Sequence, residues 1–136
     1  MSAMRFLGVD PGGRRLGLAV ASTDTGIVTP LEVVEYRGVE DAARRIAVAA
    51  DTRGADRVVV GLPTTADGAE TPACRRSHAL ADALRERGLE VELQPEHLSS
   101  NEARRRARDA GLDRAQAVDH LAAAVILEDF LSGVGP

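Results

Sequence analysis

Two apolar runs that alternate with a period of two, joined by Asp10-Pro11-Gly12-Gly13, constrain this chain more than any other feature. In the first run Leu7 and Val9 fall on one face, with Phe6, Gly8 and Asp10 on the other. Leu16, Leu18 and Val20 resume the alternation after the turn. Proline presets φ and glycine accepts a positive φ, so the segment predicts a strand, a tight turn and a second strand. Asp10 then stands where a buried strand gives way to solvent. A carboxylate there is rigidly held yet accessible, as metal-assisted chemistry requires. Aspartate is also a favoured first residue of a turn, so Asp10 gains meaning only with two more carboxylates, Glu96 and Asp119, in similar settings.

After a second turn at Ser22–Gly26, a third strand is expected from about Ile27 to Tyr36, with Pro30 marking an edge or a bulge. Three strands joined by short turns must be antiparallel neighbours. The period then changes. Val39, Ala42, Ala43, Ile46, Ala47, Ala49 and Ala50 recur at helical spacing, and Gly54 closes that helix. Arg57–Gly61 is a continuous apolar run, typical of a strand buried on both faces. A loop over Leu62–Glu70 leads to a helix from about Thr71 to Arg87, with His78 expected inside as a core residue. Leu89–Leu93 alternates as a strand with one wet face, and Glu96 follows on the loop leaving it. Ser99-Ser100-Asn101-Glu102 is a capping box that starts a helix stopped by Gly111. Asp113 caps a last helix reaching about Leu131, with 132–136 a frayed tail.

The order β-β-β-α-β-α-β-α-α predicts an α/β domain spanning 1–136. Its mixed five-stranded sheet, order 3-2-1-4-5 with strand 2 antiparallel, is flanked by helices. Strand 1 is central, and Asp10 shares one edge with the carboxyl ends of strands 4 and 5. Ligands of open α/β sheets gather outside such ends.

The 136 residues are 44% apolar, enough for a real core, but only Phe6, Phe130 and Tyr36 are aromatic. Base stacking on aromatic platforms is therefore nearly excluded. All seventeen basic residues are arginine, and the net charge of −4 argues against a broadly basic nucleic-acid binder. Cys74 is alone, which rules out an internal disulfide and fits a reducing compartment. No targeting segment or membrane-length apolar run is visible, so a cytoplasmic protein is the expectation.

Asp119 lies inside or beside the apolar stripe Val118, Leu121, Ala122, Val125 and Ile126. Aspartate is a poor helix former, and a partly buried carboxylate needs a partner. That partner is an arginine such as Arg15 or Arg108, or a cation shared with Asp10 and Glu96. Three carboxylates without cysteine ligands suit a hard cation, Mg²⁺ or Mn²⁺. The chemistry such a cluster serves is phosphodiester hydrolysis by two ions. No Gly-x-Ser-x-Gly elbow and no zinc-spaced histidines compete. Arginines cluster at Arg104, Arg105, Arg106 and Arg108, with Arg14, Arg15, Arg75 and Arg76 elsewhere. They form a solvated face, or they grip phosphates; Arg104 and Arg108 are one helical turn apart.

Leu7-Gly-Val-Asp-Pro-Gly12 with Arg15-Leu-Gly-Leu-Ala19, Val60-Gly-Leu-Pro63, Asp67-Gly68, Glu96-His-Leu-Ser-Ser100 and Asp119-His-Leu-Ala-Ala-Ala124 follow in order over nearly the whole chain. Together they resemble the YqgF-type family of pre-16S rRNA nucleases and Holliday-junction-resolvase-like proteins, whose fold is ribonuclease-H-like. The resemblance implies that Asp10, Glu96 and Asp119 are the acidic catalytic residues, and that the partner is precursor rRNA or branched DNA. The chain departs from the family pattern in two places. Pro95-Glu96-His97 stands for a usual Asp-Glu-Arg, and the asparagine usual before Asp67 is absent; both bear on substrate affinity more than on metal.

Precursor rRNA, held with the help of ribosomal particles, is the favoured substrate, and a monomer or weak dimer is expected. A junction resolvase works best as a stable twofold dimer, and no aromatic anchor for one is visible. A non-catalytic RNA- or protein-binding domain and an actin-like ATPase compete with the nuclease reading. The ATPase needs two such domains and a cleft.

Overall fold

Alternation places Leu7 and Val9 beneath one layer of helices and Phe6 and Gly8 beneath another, which makes the first strand, β1 (Arg5–Pro11), buried on both faces. The computed structural model describes residues 3–64, 70–96 and 114–133, with 114–120 described by backbone alone. β2 (Arg15–Ser22) and β3 (Val28–Glu35) follow antiparallel, and β4 (Arg57–Pro63) and β5 (Val91–Glu96) add in parallel on the other side. The order β3-β2-β1-β4-β5 is the expected one, with β1 central. β3 is an edge strand. Its Pro30 sits opposite Ala19, where the β2–β3 register shifts, so the proline costs the sheet little.

Helices α1 (Gly38–Arg53) and α2 (Pro72–Glu86) cover the face that carries Leu7, Val9, Leu16, Leu18, Val58 and Val60. Thr71 caps α2 by accepting the Cys74 N–H at 3.1 Å, with Pro72 in the first turn. The last described helix, α3 (Arg114–Ser132), covers the opposite face, where Phe6 meets Phe130 edge-on with ring centres 5.4 Å apart. Ser132 is helical rather than part of a frayed tail. The sheet and its two helical layers enclose one core cluster on each face.

Two further expectations change. His78 is exposed; the buried stripe of α2 is Ser77, Leu80, Ala81 and Leu84, and His78 lies about 100° round the helix from Ser77. The fifth strand does not end at Leu93 but runs through Pro95 to Glu96. β5 has a neighbour on one side only, so Pro95 forfeits no ladder bond. The expected helix from Ser99 to Gly111 lies outside the described residues, as do Asp67, His97, Arg104 and Arg108.

Candidate active site at the carboxyl edge of the sheet

Asp10 is the next-to-last residue of β1, half-buried, and opposite Gly17 of β2. The turn after it is tight. Gly12 N–H donates to the carbonyls of Asp10 (3.1 Å) and Arg15 (2.9 Å). A Cβ on Gly12 would stand 2.8 Å from the Arg15 carbonyl oxygen, so only glycine fits there. Beyond β3, Tyr36 reaches back: its hydroxyl donates to the Gly12 carbonyl and its N–H to that of Arg14, the latter at 3.1 Å. Burial pushes the Tyr36 phenol pKa up, against the pull of the Arg76 charge.

Glu96 ends β5 and is only 8% exposed. Its backbone carbonyl accepts from the Thr64 N–H at 3.1 Å, and Thr64 Oγ1 stands 3.5 Å from it, so the residue after β4 ties the two strand ends together. One step earlier, buried Ser77 of α2 donates its hydroxyl to the Gly61 carbonyl at 2.8 Å. These bonds fix the carboxyl ends of β4 and β5 against α2.

Register places Asp10 and Glu96 on the same face. Val9 pairs with Val60 and Val60 with Leu93, all three toward α1 and α2. The alternate positions Asp10, Gly61, Gln94 and Glu96 therefore belong to the α3 face. β4 separates the two acidic strands, which are about 10 Å apart. Across that span Gly61 carries no side chain, and a Cβ there would fall 2.4 Å from Ile126 Cδ1 of α3.

The direction of α3 follows from its contacts. Phe130 meets Phe6, whereas Leu127 and Ala123 lie over Gly8, whose Cβ would fall 2.5 Å from Leu127 Cγ and 3.0 Å from the Ala123 carbonyl oxygen. The helix runs opposite to β1 and starts at the carboxyl edge. One turn before Ala123, position 119 is about 6 Å nearer that edge. From Gly8 to Asp10 is about 7 Å in the same direction. The Asp119 side chain itself is outside the described residues. Among the described residues no three acidic, histidine or cysteine side chains gather to hold a metal.

The expected phosphate-binding arginines divide. Arg14 is exposed and Arg15 half-buried in the β1–β2 turn region; Arg75 is exposed and Arg76 half-buried in the first turn of α2. All four stand at the carboxyl edge with Asp10 and Glu96. Away from that edge, Arg57 pairs with Glu92 at 3.1 Å and Arg45 with Asp41 at 3.1 Å. Sequence reasoning missed Tyr36, Thr64 and Ser77, because each acts on a backbone carbonyl far along the chain. The glycines in β1 and β4 were the available signal for the close approach of α3.

A family model described as "RuvX: Holliday junction resolvase" matches residues 4–133. Relatives named "Putative pre-16S rRNA nuclease" include one from Anaeromyxobacter dehalogenans (strain 2CP-1 / ATCC BAA-258), 43% identical over 98% of this chain and 100% of its own. Another, from Anaeromyxobacter sp. (strain Fw109-5), is 40% identical over 96% of this chain and 98% of its own. Among solved structures, Thermus thermophilus RuvC bound to a Holliday junction superposes with a TM-score of 0.58 at 19% identity, over 96% of this chain and 98% of that one. The fowlpox virus Holliday junction resolvase gives 0.55 at 12% identity, over 96% and 99%. The shared architecture is ribonuclease-H-like.

Proposed function

The chain belongs to the RuvX Holliday junction resolvase family, and from that premise we propose that it is a nuclease whose divalent cations, Mg²⁺ or Mn²⁺, are held by Asp10, Glu96 and Asp119. The observation that carries this reading is the common placement of Asp10 and Glu96. Both stand at the carboxyl edge, on the sheet face covered by α3, and α3 begins at that edge. The donor chemistry fits: carboxylate oxygens, one of them from a residue only 8% exposed, suit a hard cation. When bound, such cations activate the attacking water and offset charge on the scissile phosphate.

The chain's own residues supply position. The backbone at Asp10 is fixed by a central strand and a pinned turn, and that at Glu96 by the Thr64 bonds, so neither strand end has to be ordered during the reaction. Arg14, Arg15, Arg75 and Arg76, with Arg104 and Arg108, bind phosphates of the flanking strand. The starts of α1, α2 and α3 add their positive dipole ends at the same edge.

The substrate proposed is precursor 16S rRNA, trimmed at its 5′ end in the cytoplasm by a monomer or weak dimer, with ribosomal particles helping to hold it. Nuclease-named relatives at 40% identity and above support this reading. So does the engagement of all three aromatics within the fold: Phe6 with Phe130, and Tyr36 with the turn. None is left to anchor a tight dimer. No helix among the described residues is long and apolar enough to cross a membrane. The second reading, junction resolution, is favoured by the description of the family model.

The test is cleavage of end-labelled precursor rRNA and of a synthetic four-way junction, with and without Mn²⁺, by wild type and Asp10→Asn. RNA cleavage that needs Mn²⁺ and is lost in the variant is expected. Paired symmetric nicks in the junction by a tight dimer would move the substrate to branched DNA. Cleavage by Asp10→Asn at the wild-type rate would remove the metal assignment.

A further inference from the structure

The segment after Asp10 contains two consecutive glycines, Gly12 and Gly13, at the point where a nuclease of this kind needs least freedom. Gly12 cannot be exchanged for a stiffer residue, because its Cβ would collide with the Arg15 carbonyl. Rigidity there has to come from outside the turn. It comes from Tyr36, the single tyrosine of the chain. Its hydroxyl holds the carbonyl of Gly12 and its N–H holds the carbonyl of Arg14. The two carbonyls flank Gly13, so one residue, 24 positions away in sequence, clamps both sides of the flexible point. The ring is anchored in turn, packed against the core cluster beneath α1 and α2.

We propose that Tyr36 is a positioning residue for catalysis: its hydroxyl bond to Gly12 holds the β1–β2 turn so that the Asp10 carboxylate keeps the orientation its cation needs. The inference rests on the metal-dependent nuclease reading and deepens it. Tyr36 touches neither cation nor substrate. It acts through Gly12, whose N–H is bonded to the Asp10 carbonyl. Outer groups that orient a metal ligand are worth about tenfold or more in metal affinity or rate.

The test compares wild type, Tyr36→Phe and a control, Thr23→Val. Phenylalanine keeps the ring and removes only the hydroxyl. Thr23→Val removes a bond of similar kind at the opposite edge, where Thr23 Oγ1 accepts the Met4 N–H at 2.9 Å. Mn²⁺ affinity is read by calorimetry, melting temperature by circular dichroism, and kcat and KM on labelled RNA. Tyr36→Phe is expected to bind Mn²⁺ about tenfold more weakly and to lose about tenfold in kcat, with KM within about twofold of wild type. Thr23→Val is expected to melt earlier by a similar amount and to keep its Mn²⁺ affinity and kcat. Equal Mn²⁺ binding by Tyr36→Phe and wild type would overturn the proposal, as would equal losses in the two variants. If wild type binds Mn²⁺ but cleaves neither RNA nor a four-way junction, the nuclease reading fails while the calorimetric comparison still decides the role of Tyr36. A wild type that binds no Mn²⁺ overturns both.

Discussion

Leu7, Val9, Leu16, Leu18, Val58 and Val60 fill one face of the sheet beneath α1 and α2, whereas Phe6, Gly8, Ala19, Ala21, Val59 and Gly61 lie on the face beneath α3. The first face is made of branched aliphatics, which bury more apolar area per residue than glycine or alanine and so contribute more hydrophobic stabilisation. The second uses glycine and alanine at its centre. It gives up buried area there, and in return the backbone of α3 comes close to β1 and β4. The acidic residues stand on the second face. A helix meant to bring a carboxylate to a strand end has to lie near the strand, and side chains at positions 8 and 61 would hold it away. On the proposed reading, stability and site are thus divided between the two sides of one sheet.

The largest effect should come from disturbing the close face. Gly8→Val puts methyl groups where the Ala123 carbonyl oxygen and Leu127 already stand. It should cost about 3 kcal/mol in denaturant unfolding, and cleavage per folded molecule should fall by about a hundredfold or more, the scale of a catalytic group displaced by about 1 Å. Leu80→Ala on the other side leaves a cavity under α2 and should cost a similar amount, about 3 kcal/mol. Its cleavage per folded molecule should stay within about twofold. If the two variants lose activity equally, the division between the faces is wrong.

A smaller effect is expected from the arginines at the edge. Replacing Arg14 and Arg75 with alanine should weaken single-stranded RNA binding and reduce the slope of log affinity against log salt by about 1.4, two phosphates at about 0.7 each. Binding titrations at several salt concentrations measure it. An unchanged slope would return these residues to a solvated surface role.

The smallest effect is in titration. Burial raises the Tyr36 pKa above its ordinary value of 10.0. The fold therefore favours the protonated, donating hydroxyl. That contribution to stability is complete below pH 10 and is lost as pH rises through the raised value. With one tyrosine and no tryptophan, ultraviolet absorbance follows this group alone. The midpoint should lie above 10 in the native protein and return to about 10 in denaturant. At the other end of the scale, Asp41 at the start of α1 is lowered to about 2 by the Arg37 N–H and then by Arg45. Its contribution is present above pH 3.8 and lost as pH falls through about 2, which carboxyl resonances would follow.

Much of this arrangement is legible in the sequence where the signal is local. The alternation around Asp10, the turn after it and the helical period before Gly54 need only neighbouring residues, and from them the strand order follows. Glu96 is read as a loop residue because the alternation is followed only to Leu93, with Pro95 beyond it. Proline breaks only strands that need its missing N–H, and the edge position of β5 depends on the whole sheet. His78 is misplaced because one position in sequence turns a helical side chain through about 100°, enough to exchange core for solvent. Tyr36 is invisible for a different reason. Its partners are backbone carbonyls brought near by the β2–β3 pairing, and a backbone carbonyl has no sequence signature. Gly8 and Gly61 are visible as glycines in strands, but what approaches them is decided by α3, more than sixty residues later.

The central claim is that Asp10, Glu96 and Asp119 share a cation at the carboxyl edge of the α3 face. Its most direct test is a crystal structure grown in Mn²⁺ and recorded at the manganese absorption edge. An anomalous peak is expected within coordination distance of Asp10 and Glu96 carboxylate oxygens, with Asp119 reaching the same ion or a second one beside it. Anomalous density elsewhere on the molecule with none at Asp10, or Asp119 turned to the side of α3 away from the sheet, would contradict it.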